Sequence, residues 1–283
     1  MMKQILVALD GSEAGRAALK ESIRLAELTG ARLWGVFVED EMRFMMFPAV
    51  TFMEGGVAVP VPLPDDMLRK VESDVDKERL ALRQEFDAAM RAHPKVKGEF
   101  ENIRGGINTV LTEAARATDL IVIGRRGKRI GEKKSTRPGP TTEAMVHDSL
   151  RPVLVVPAGG RTGGATLFAY DGSSAAQRVA VMGAQLAALS KAASHVLTVE
   201  DDAESARRTQ APLLRYLGVY DLEPRSIVMK GNVTALILDQ ANAKGAGLIV
   251  MGAFGHSPIR ELLFGSTTLK VLEGASCPVL MMA

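Results

Sequence analysis

The feature that most constrains the fold of this chain is an internal repeat. Ile5–Ser12 returns as Thr166–Ser173, each a largely apolar run that ends in Asp-Gly-Ser, and the match continues without a gap to Asp40 and Asp201. Two later blocks recur in the same order: Leu120–Gly124 as Leu248–Gly252, and Arg151–Leu154 as Cys277–Leu280. The length of 283 residues suits two domains. We therefore expect a tandem duplication of one domain.

Within each copy, segments typical of strands alternate with segments typical of helices. Short apolar runs predict five strands in the first copy: Gln4–Leu9, Leu33–Val38, Phe100–Arg104, Leu120–Ile123 and Pro152–Val156. Strands this apolar are expected to be buried on both faces. Gly11-Ser12 and Gly172-Ser173 supply a turn and a helix N-cap after the first strand of each copy. We predict an α/β fold of two Rossmann-like, doubly wound domains, each a parallel sheet with helices on both faces.

A glycine-rich segment, Ala158–Gly164, separates the copies and is typical of a flexible linker. We predict a first domain of residues 1–158, a linker of residues 159–165 and a second domain of residues 166–283. The first copy also carries an insertion of about residues 41–94. Its apolar, proline- and glycine-rich part (Met42–Pro48 and Val57–Pro64) is either a loop packed on its own domain or an adaptable contact surface. Its second part, Met67–Ala92, is predicted to be a charged amphipathic helix.

The composition excludes several classes of protein. With 35 basic and 33 acidic residues the formal charge is +2, too balanced to indicate nucleic acid or a membrane surface as a partner. One cysteine, Cys277, cannot form an intrachain disulfide, and the four histidines show no metal-ligand spacing with it. No apolar run reaches the roughly 18 residues of a spanning helix, and the first residues do not resemble a signal peptide. A cytoplasmic location is expected.

In the second copy, a strand runs into a loop whose chemistry suits an anion. Gly252 and Gly255 follow the strand Leu248–Met251, and Gly265-Ser266-Thr267 stands where a helix begins. Glycines let the backbone approach a ligand closely, and free amides at a helix N-terminus attract negative charge. The hydroxyls of Ser266 and Thr267 can add hydrogen bonds or can simply cap the helix.

The complete spacing of residues in this loop is a more specific signal than its glycines alone. Glycine, two residues, glycine, nine residues and then Gly-Ser-Thr, between a strand and a helix, resembles the ATP-binding motif of universal stress proteins. Asp-Gly-Ser after the first strand and Pro-Val-Leu in the last strand are similar to the same family, in both copies. The resemblance implies a five-stranded parallel sheet in the order 3-2-1-4-5, with ATP, ADP or AMP over the ends of strands one and four, either alone or together with Mg²⁺. It also implies that Val153–Val156 and Val279–Met282 pair within the chain, with a homodimer as a further option.

The resemblance assigns roles to individual residues of the second copy. Asp171 would lie beside the adenosine, although it could equally serve only the turn before Gly172. Val199 would line the adenine pocket, or would belong to the core. The remaining candidates would hold or touch the phosphates: Gly252, Gly255, His256, Ser257, Gly265, Ser266 and Thr267.

The first copy departs from this motif. After Gly124-Arg125-Arg126-Gly127, eleven residues rather than nine precede Gly139, and Pro140 replaces the serine. Proline has no N–H, so one donor that would face a phosphate is lost. The loop is strongly basic instead, and its cations are either solvated or bind a phosphate through side chains. They are Arg125, Arg126, Lys128, Arg129, Lys133, Lys134 and Arg137. We expect weak nucleotide binding by this copy, or none.

Three functions are compatible with these features. The first is a nucleotide-binding stress or regulatory protein that changes its conformation or its partners with the ligand. The second is a slow ATPase or nucleotidyl transferase, and the third is a scaffold with a vestigial pocket. The loop offers no evident general base except His256, and a complete P-loop is absent. Since the second copy keeps every motif glycine, binding is favoured.

Overall fold

The computed structural model describes residues 2–46, 61–128, 135–160, 163–253 and 265–283. The first repeat consists of β1 (Gln4–Ala8), α1 (Glu13–Thr29), β2 (Arg32–Asp40), a 3-10 turn (Glu41–Phe44), the short strands β3 (Met45–Met46) and β4 (Val61–Pro62), α2 (Asp65–Ala92), β5 (Gly98–Gly105), α3 (Ile107–Ala115), β6 (Leu120–Gly124), α4 (Pro140–Asp148) and β7 (Val153–Val156). The second repeat consists of β8 (Ala165–Ala169), α5 (Ser174–Ser190), β9 (Ser194–Val199), α6 (Ala203–Gly218), β10 (Arg225–Met229), α7 (Val233–Ala243), β11 (Ala246–Gly252), α8 (Ser266–Gly274) and β12 (Val279–Met282).

The two repeats share a single ten-stranded sheet, in the order β10-β9-β8-β11-β12-β7-β6-β1-β2-β5. Each half has the predicted order 3-2-1-4-5, and its strands pair in parallel. The halves join where β12 pairs antiparallel with β7, with Val279 opposite Val155 and Met281 opposite Val153. The two predicted α/β domains are thus present, and their sheets are continuous across the pairing of the last strands.

Successive side chains of each strand pack alternately into two cores, one on each face of the sheet. On β1, Ile5 and Val7 belong to one core and Leu6 to the other, and all three are fully buried. Helices α1, α2, α5 and α6 cover the first face, and α3, α4, α7 and α8 cover the second. This burial on both faces explains why the strands are continuous apolar runs instead of alternating ones.

The helices after the first strand of each repeat begin with the predicted caps. The Ser12 hydroxyl accepts a hydrogen bond from Gly15 N at 2.8 Å, and the Ser173 hydroxyl accepts one from Ala176 N at 3.2 Å. The preceding glycines, Gly11 and Gly172, have φ of +70° and +77°, which a side chain would oppose. The same local sequence therefore builds the same strand-to-helix turn twice.

The segment expected to be an insertion divides into two parts. Helix α2 spans 28 residues and contains the predicted helix, but it has a counterpart of 16 residues, α6, at the same place in the second repeat. The added material is therefore the chain before α2 and the extra length of α2. Phe44 is buried beneath the Arg104 guanidinium, 3.9 Å from its ring centroid, whereas Met42 and Met45 are exposed. Residues 47–60 lie outside the described residues, so both interpretations of the apolar part stay open.

Of the helices in the described ranges, none has the length and hydropathy required to cross a membrane.

Candidate functional site

Each half of the sheet has a crevice at the carboxyl ends of two neighbouring strands. The helices that follow these two strands lie on opposite faces of the sheet. After β8 the chain enters α5 on one face, and after β11 it leads to α8 on the other. The same divergence occurs after β1 and β6 in the first repeat. In open α/β sheets, this is where ligands bind. The cavity of the first half measures about 330 Å³ and that of the second about 370 Å³.

Six of the nine predicted site residues line the second cavity. They are Asp171, Val199, Gly252, Gly265, Ser266 and Thr267. The other three, Gly255, His256 and Ser257, lie outside the described residues. The described candidates come from the ends of β8, β9 and β11 and from the first turn of α8, so one crevice collects residues that are far apart in sequence.

The N-terminus of α8 forms one end of this cavity. Gly265 is its N-cap, with φ of −53° and ψ of 129°, so Ser266 and Thr267 occupy the first helical positions and not the cap. No described side chain caps the helix. The first intrahelical bond runs from Leu269 N to Gly265 O at 3.1 Å. The amides of the first turn therefore have no helical acceptor and are available to an anion.

Thr268 is a site residue that the sequence analysis missed. It is buried, and its hydroxyl donates to Ala253 O, just beyond the end of β11. Thr142 makes a similar contact in the first repeat, donating at 3.0 Å to Gly124 O, one residue earlier than the equivalent of Ala253. This bond fastens each helix N-terminus to the neighbouring strand end. The Thr-Thr pair that both repeats share at 141–142 and 267–268 was the available signal.

The opposite end of the second cavity is mostly apolar. Leu197, Val199 and Met251 contribute from the strands, and Ile237 contributes from α7. Asp171 stands at the mouth, where its Oδ1 accepts a hydrogen bond from Ser173 N at 2.9 Å. The turn-forming role of Asp171 is therefore real and coexists with its place in the crevice. Burial, followed by the charge of Asp171, raises the pKa of the neighbouring Tyr170, which keeps that phenol protonated.

The first crevice has the same outline with different contents at its phosphate end. Pro140 is the first residue of α4, in the place that Ser266 has in α8. Asp10, the equivalent of Asp171, accepts a hydrogen bond from Lys128 N at 2.9 Å through Oδ2, which holds the glycine loop against the strand end. Arg126 and Lys128 line this cavity. Lys128 Nζ lies 3.6 Å from Glu78 of α2, which offsets part of its charge.

The described cations of the basic loop do not all face the first crevice. Arg125 does not face the first crevice, because its guanidinium contacts backbone carbonyls of the second repeat, and Arg137 Nε lies 3.7 Å from Glu143. Arg129, Lys133 and Lys134 lie outside the described residues. Two described cations, Arg126 and Lys128, are therefore left to face a ligand in this crevice.

No group of three or more metal-ligating side chains is found among the described residues. His93 and His147 each lie beside a carboxylate, Glu27 at 2.8 Å and Asp148 at 2.6 Å. His195 is buried within β9.

An open, doubly wound sheet with a helix N-terminus at its diverging strands is the architecture of Rossmann-like α/β proteins. A sequence model of the universal stress protein family matches residues 1–157 and again residues 165–282. The chain therefore belongs to the universal stress protein family, with two copies of the family domain in tandem.

Known proteins resemble the chain over its whole length. Universal stress protein Slr1230 of Synechocystis is 26% identical over 295 residues, covering 99% of both sequences. The crystal structure of a universal stress protein from Archaeoglobus fulgidus superposes with a TM-score of 0.71 at 19% identity, covering 99% of this chain and 97% of that one. A functionally unknown protein from Pseudomonas aeruginosa gives 0.63 at 18% identity, covering 99% and 92%. These structural likenesses concern the fold.

Proposed function

We propose that this protein binds an adenine nucleotide in the crevice of its second domain and acts as a regulatory protein whose conformation or partners depend on that ligand. One observation carries the proposal. The six described candidates line a single cavity that ends at the free amides of α8. The residues came from a nucleotide-binding motif read in the sequence, and the fold brings them together.

The phosphate end supplies fixed donors. The amides of Ser266 and Thr267 belong to the first turn of a helix, whose dipole adds about half a positive charge at that end. Gly252 contributes strand-end backbone to the cavity wall, and its missing side chain lets this strand end pack closely on the backbone of α5 at Ala176. Backbone donors of this kind need no reorganisation when an anion arrives. A triphosphate or diphosphate fits this chemistry better than a neutral ligand.

The other end suits a nucleoside. Leu197, Val199 and Ile237 offer apolar contact to a flat base, and the Asp171 carboxylate offers an acceptor for ribose hydroxyls. The cavity of about 370 Å³ lies in the range of small-molecule sites. Mg²⁺ usually binds through substrate phosphates and one or two carboxylates. In this crevice it would accompany ATP, with Asp171 as the nearest described carboxylate.

Slow turnover is part of the proposal. Of the described residues that line the second cavity, Tyr170 and Asp171 are the titratable ones, and in this proposal Asp171 meets the nucleoside. Tyr170 is held protonated. Hydrolysis should therefore run well below the roughly 1–10³ per second of dedicated enzymes. A metal-dependent rate inside that range, lost in His256→Ala, would instead identify an ATPase.

The test uses one position and two substitutions. Ser266→Pro removes the first-turn amide, and the helix should form because proline is well tolerated at this position, as Pro140 shows in α4. Loss of one hydrogen bond to a charged group costs about 1.5–3 kcal/mol, so ATP affinity by calorimetry should fall roughly ten- to a hundredfold. Ser266→Ala keeps the amide and is the matched control, with a smaller loss expected. Unchanged affinity in a folded Ser266→Pro protein would refute the proposal.

A further inference from the structure

One arginine of the first domain reaches into the second. Arg125 follows the last residue of β6, and its Nη1 lies 3.0 Å from Leu272 O, 3.2 Å from Glu273 O and 3.1 Å from Ala275 O. These three carbonyls belong to the C-terminal end of α8. The contact therefore ties the glycine loop of the first crevice to the helix that forms the phosphate end of the second.

The chemistry of this contact favours a strong tether. The last carbonyls of a helix have no intrahelical partners, and the helix dipole places partial negative charge there. A guanidinium donates to several oxygens at once and carries a permanent positive charge. Arg125 is half-buried, and burial, offset in part by the charge of Glu273, lowers the pKa of its guanidinium, which stays charged at neutral pH. Leaving these partly buried carbonyls without a donor would be costly.

Helix α8 is short, so a displacement of its C-terminal end also displaces its N-terminal end. Nine residues span only about 13 Å. At the N-terminal end, Thr268 fastens the helix to Ala253 within the second domain. At the C-terminal end, Arg125 fastens it to the first domain. The position of the Ser266 and Thr267 amides over the cavity depends on both attachments.

The contact that Arg125 makes with the second domain has no counterpart at the equivalent position of the second repeat. Arg125 and Ala253 are equivalent in the two repeats, since the backbone N–H of Arg125 donates to Val156 O at 2.7 Å and that of Ala253 to Met282 O at 2.9 Å. Alanine has no side-chain donor, so Ala253 cannot hold the C-terminal end of α4 in the same way. The first domain therefore supports the helix of the second site without a reciprocal contact from this position.

We propose that Arg125, a residue of the first domain, is a positioning residue of the second domain's nucleotide site. It holds α8 from its far end, so that the amides of Ser266 and Thr267 keep the geometry that phosphates require. The inference rests on the proposed function. It also gives the degenerate first repeat a role, because its glycine loop serves the neighbouring site.

The experiment compares Arg125→Ala with Arg151→Ala in the full chain. Arg151 is the matched control, since it is an arginine of the first domain that lines neither cavity and its Nη2 donates to Arg116 O at 3.4 Å within its own domain. We expect Arg125→Ala to weaken ATP binding about tenfold, within the usual range of coupling between sites. Adenosine affinity should change less than twofold, because α8 would meet only the phosphates. Hydrogen exchange at the amides of α8 should accelerate in Arg125→Ala and not in Arg151→Ala.

A second background assigns the effect to the second crevice. In Ser266→Pro, where the tight site is lost, adding Arg125→Ala should change residual ATP binding less than twofold, as a double-mutant cycle of coupled residues requires. Arg125→Lys keeps the charge with a shorter reach and should lose ATP affinity about threefold, again without loss of adenosine affinity. This milder variant decides the matter if the alanine variant does not fold.

Several results would overturn the proposal. Unchanged ATP affinity in Arg125→Ala or Arg125→Lys would leave the nucleotide site intact and remove the positioning role. Equal loss of ATP and adenosine would show a merely structural contact. A wild-type protein that binds neither ligand would refute the proposed function itself and this inference with it.

Discussion

The two crevices of this molecule have the same architecture and nearly the same volume, about 330 Å³ and 370 Å³, yet they differ at the atoms that would meet a phosphate. Asp10 and Asp171 occupy matching positions at the mouths, and Thr142 and Thr268 fasten matching helices. The difference is one backbone donor, lost at Pro140, together with two additional loop residues. A fold can therefore be retained while the binding chemistry of its site changes through a few atoms.

The first crevice replaces fixed donors with mobile ones. Arg126 and Lys128 bring positive charge, but Lys128 also lies near Glu78. Long side chains lose entropy on ordering, and salt screens their charge. Backbone amides at a helix N-terminus are already ordered by the helix, and salt screens their short hydrogen bonds to an anion less. We therefore expect the second crevice to bind phosphates more tightly and with less dependence on salt.

The largest expected effect comes from matched glycine substitutions. A Cβ on Gly252 would lie 2.8 Å from Ala176 N, and one on Gly124 would lie 2.7 Å from Ala14 C. Both strand ends pack directly on the backbone of the helix that follows the neighbouring strand, α5 after β8 and α1 after β1, so Gly252→Ala and Gly124→Ala should each cost about 1–3 kcal/mol of stability in urea unfolding. Gly252→Ala should also weaken ATP binding about tenfold, because it displaces one wall of the second cavity. Equal loss of ATP in both variants would abolish the distinction between the crevices.

A gain of function is expected from the opposite substitution. Pro140→Ser restores the missing amide of α4, and in a Ser266→Pro background its effect on the first crevice is the gain over the Ser266→Pro parent, whose second crevice is the same. Affinity for ATP should rise about three- to tenfold at low salt, less than a full charged hydrogen bond allows, because the loop stays longer. Pro140→Ala is the control, since it restores the amide without a hydroxyl and should perform similarly. If neither variant gains affinity, loop length rather than the proline disables this crevice.

The sequence predicted some of the features that these variants test and missed others. The repeat and the apolar runs predicted the strands and a parallel sheet, whereas the resemblance to universal stress proteins implied the strand order and the residues that converge at the crevice. Arg125 was counted with the basic loop, since a sequence shows charge but not the direction of a side chain across an interface. The bond from Thr268 to Ala253 O also depends on tertiary geometry. Helix α2 was assigned to an insertion because the ungapped repeat ends at Asp40 and Asp201, before either helix, although α2 and α6 occupy the same place in the fold.

The smallest expected effect is a pH dependence confined to the second domain. His195 of β9 corresponds to Trp34 of β2, which does not titrate. His195 is buried, its Nδ1 has no hydrogen-bond partner among the described residues, and burial followed by the charges of Lys244 and Arg225 lowers its pKa. The unfolded chain therefore binds a proton before the folded one, and stability should fall as the pH drops below about 6.5. Urea unfolding at pH 7.5 and 5.5 should show this loss in the wild type and a smaller one in His195→Leu. An equal loss in both would assign the pH dependence to other groups.

The number of nucleotides bound per chain tests the central claim most directly. Equilibrium titration of the full chain with ATP, at low and at physiological salt, separates fixed donors from screened ones. We predict one tight site per chain at both salt concentrations, weakened roughly ten- to a hundredfold by Ser266→Pro, with any second site weak and lost as salt rises. Two sites of equal, salt-insensitive affinity, or a tight site that survives Ser266→Pro, would contradict this account of the two crevices.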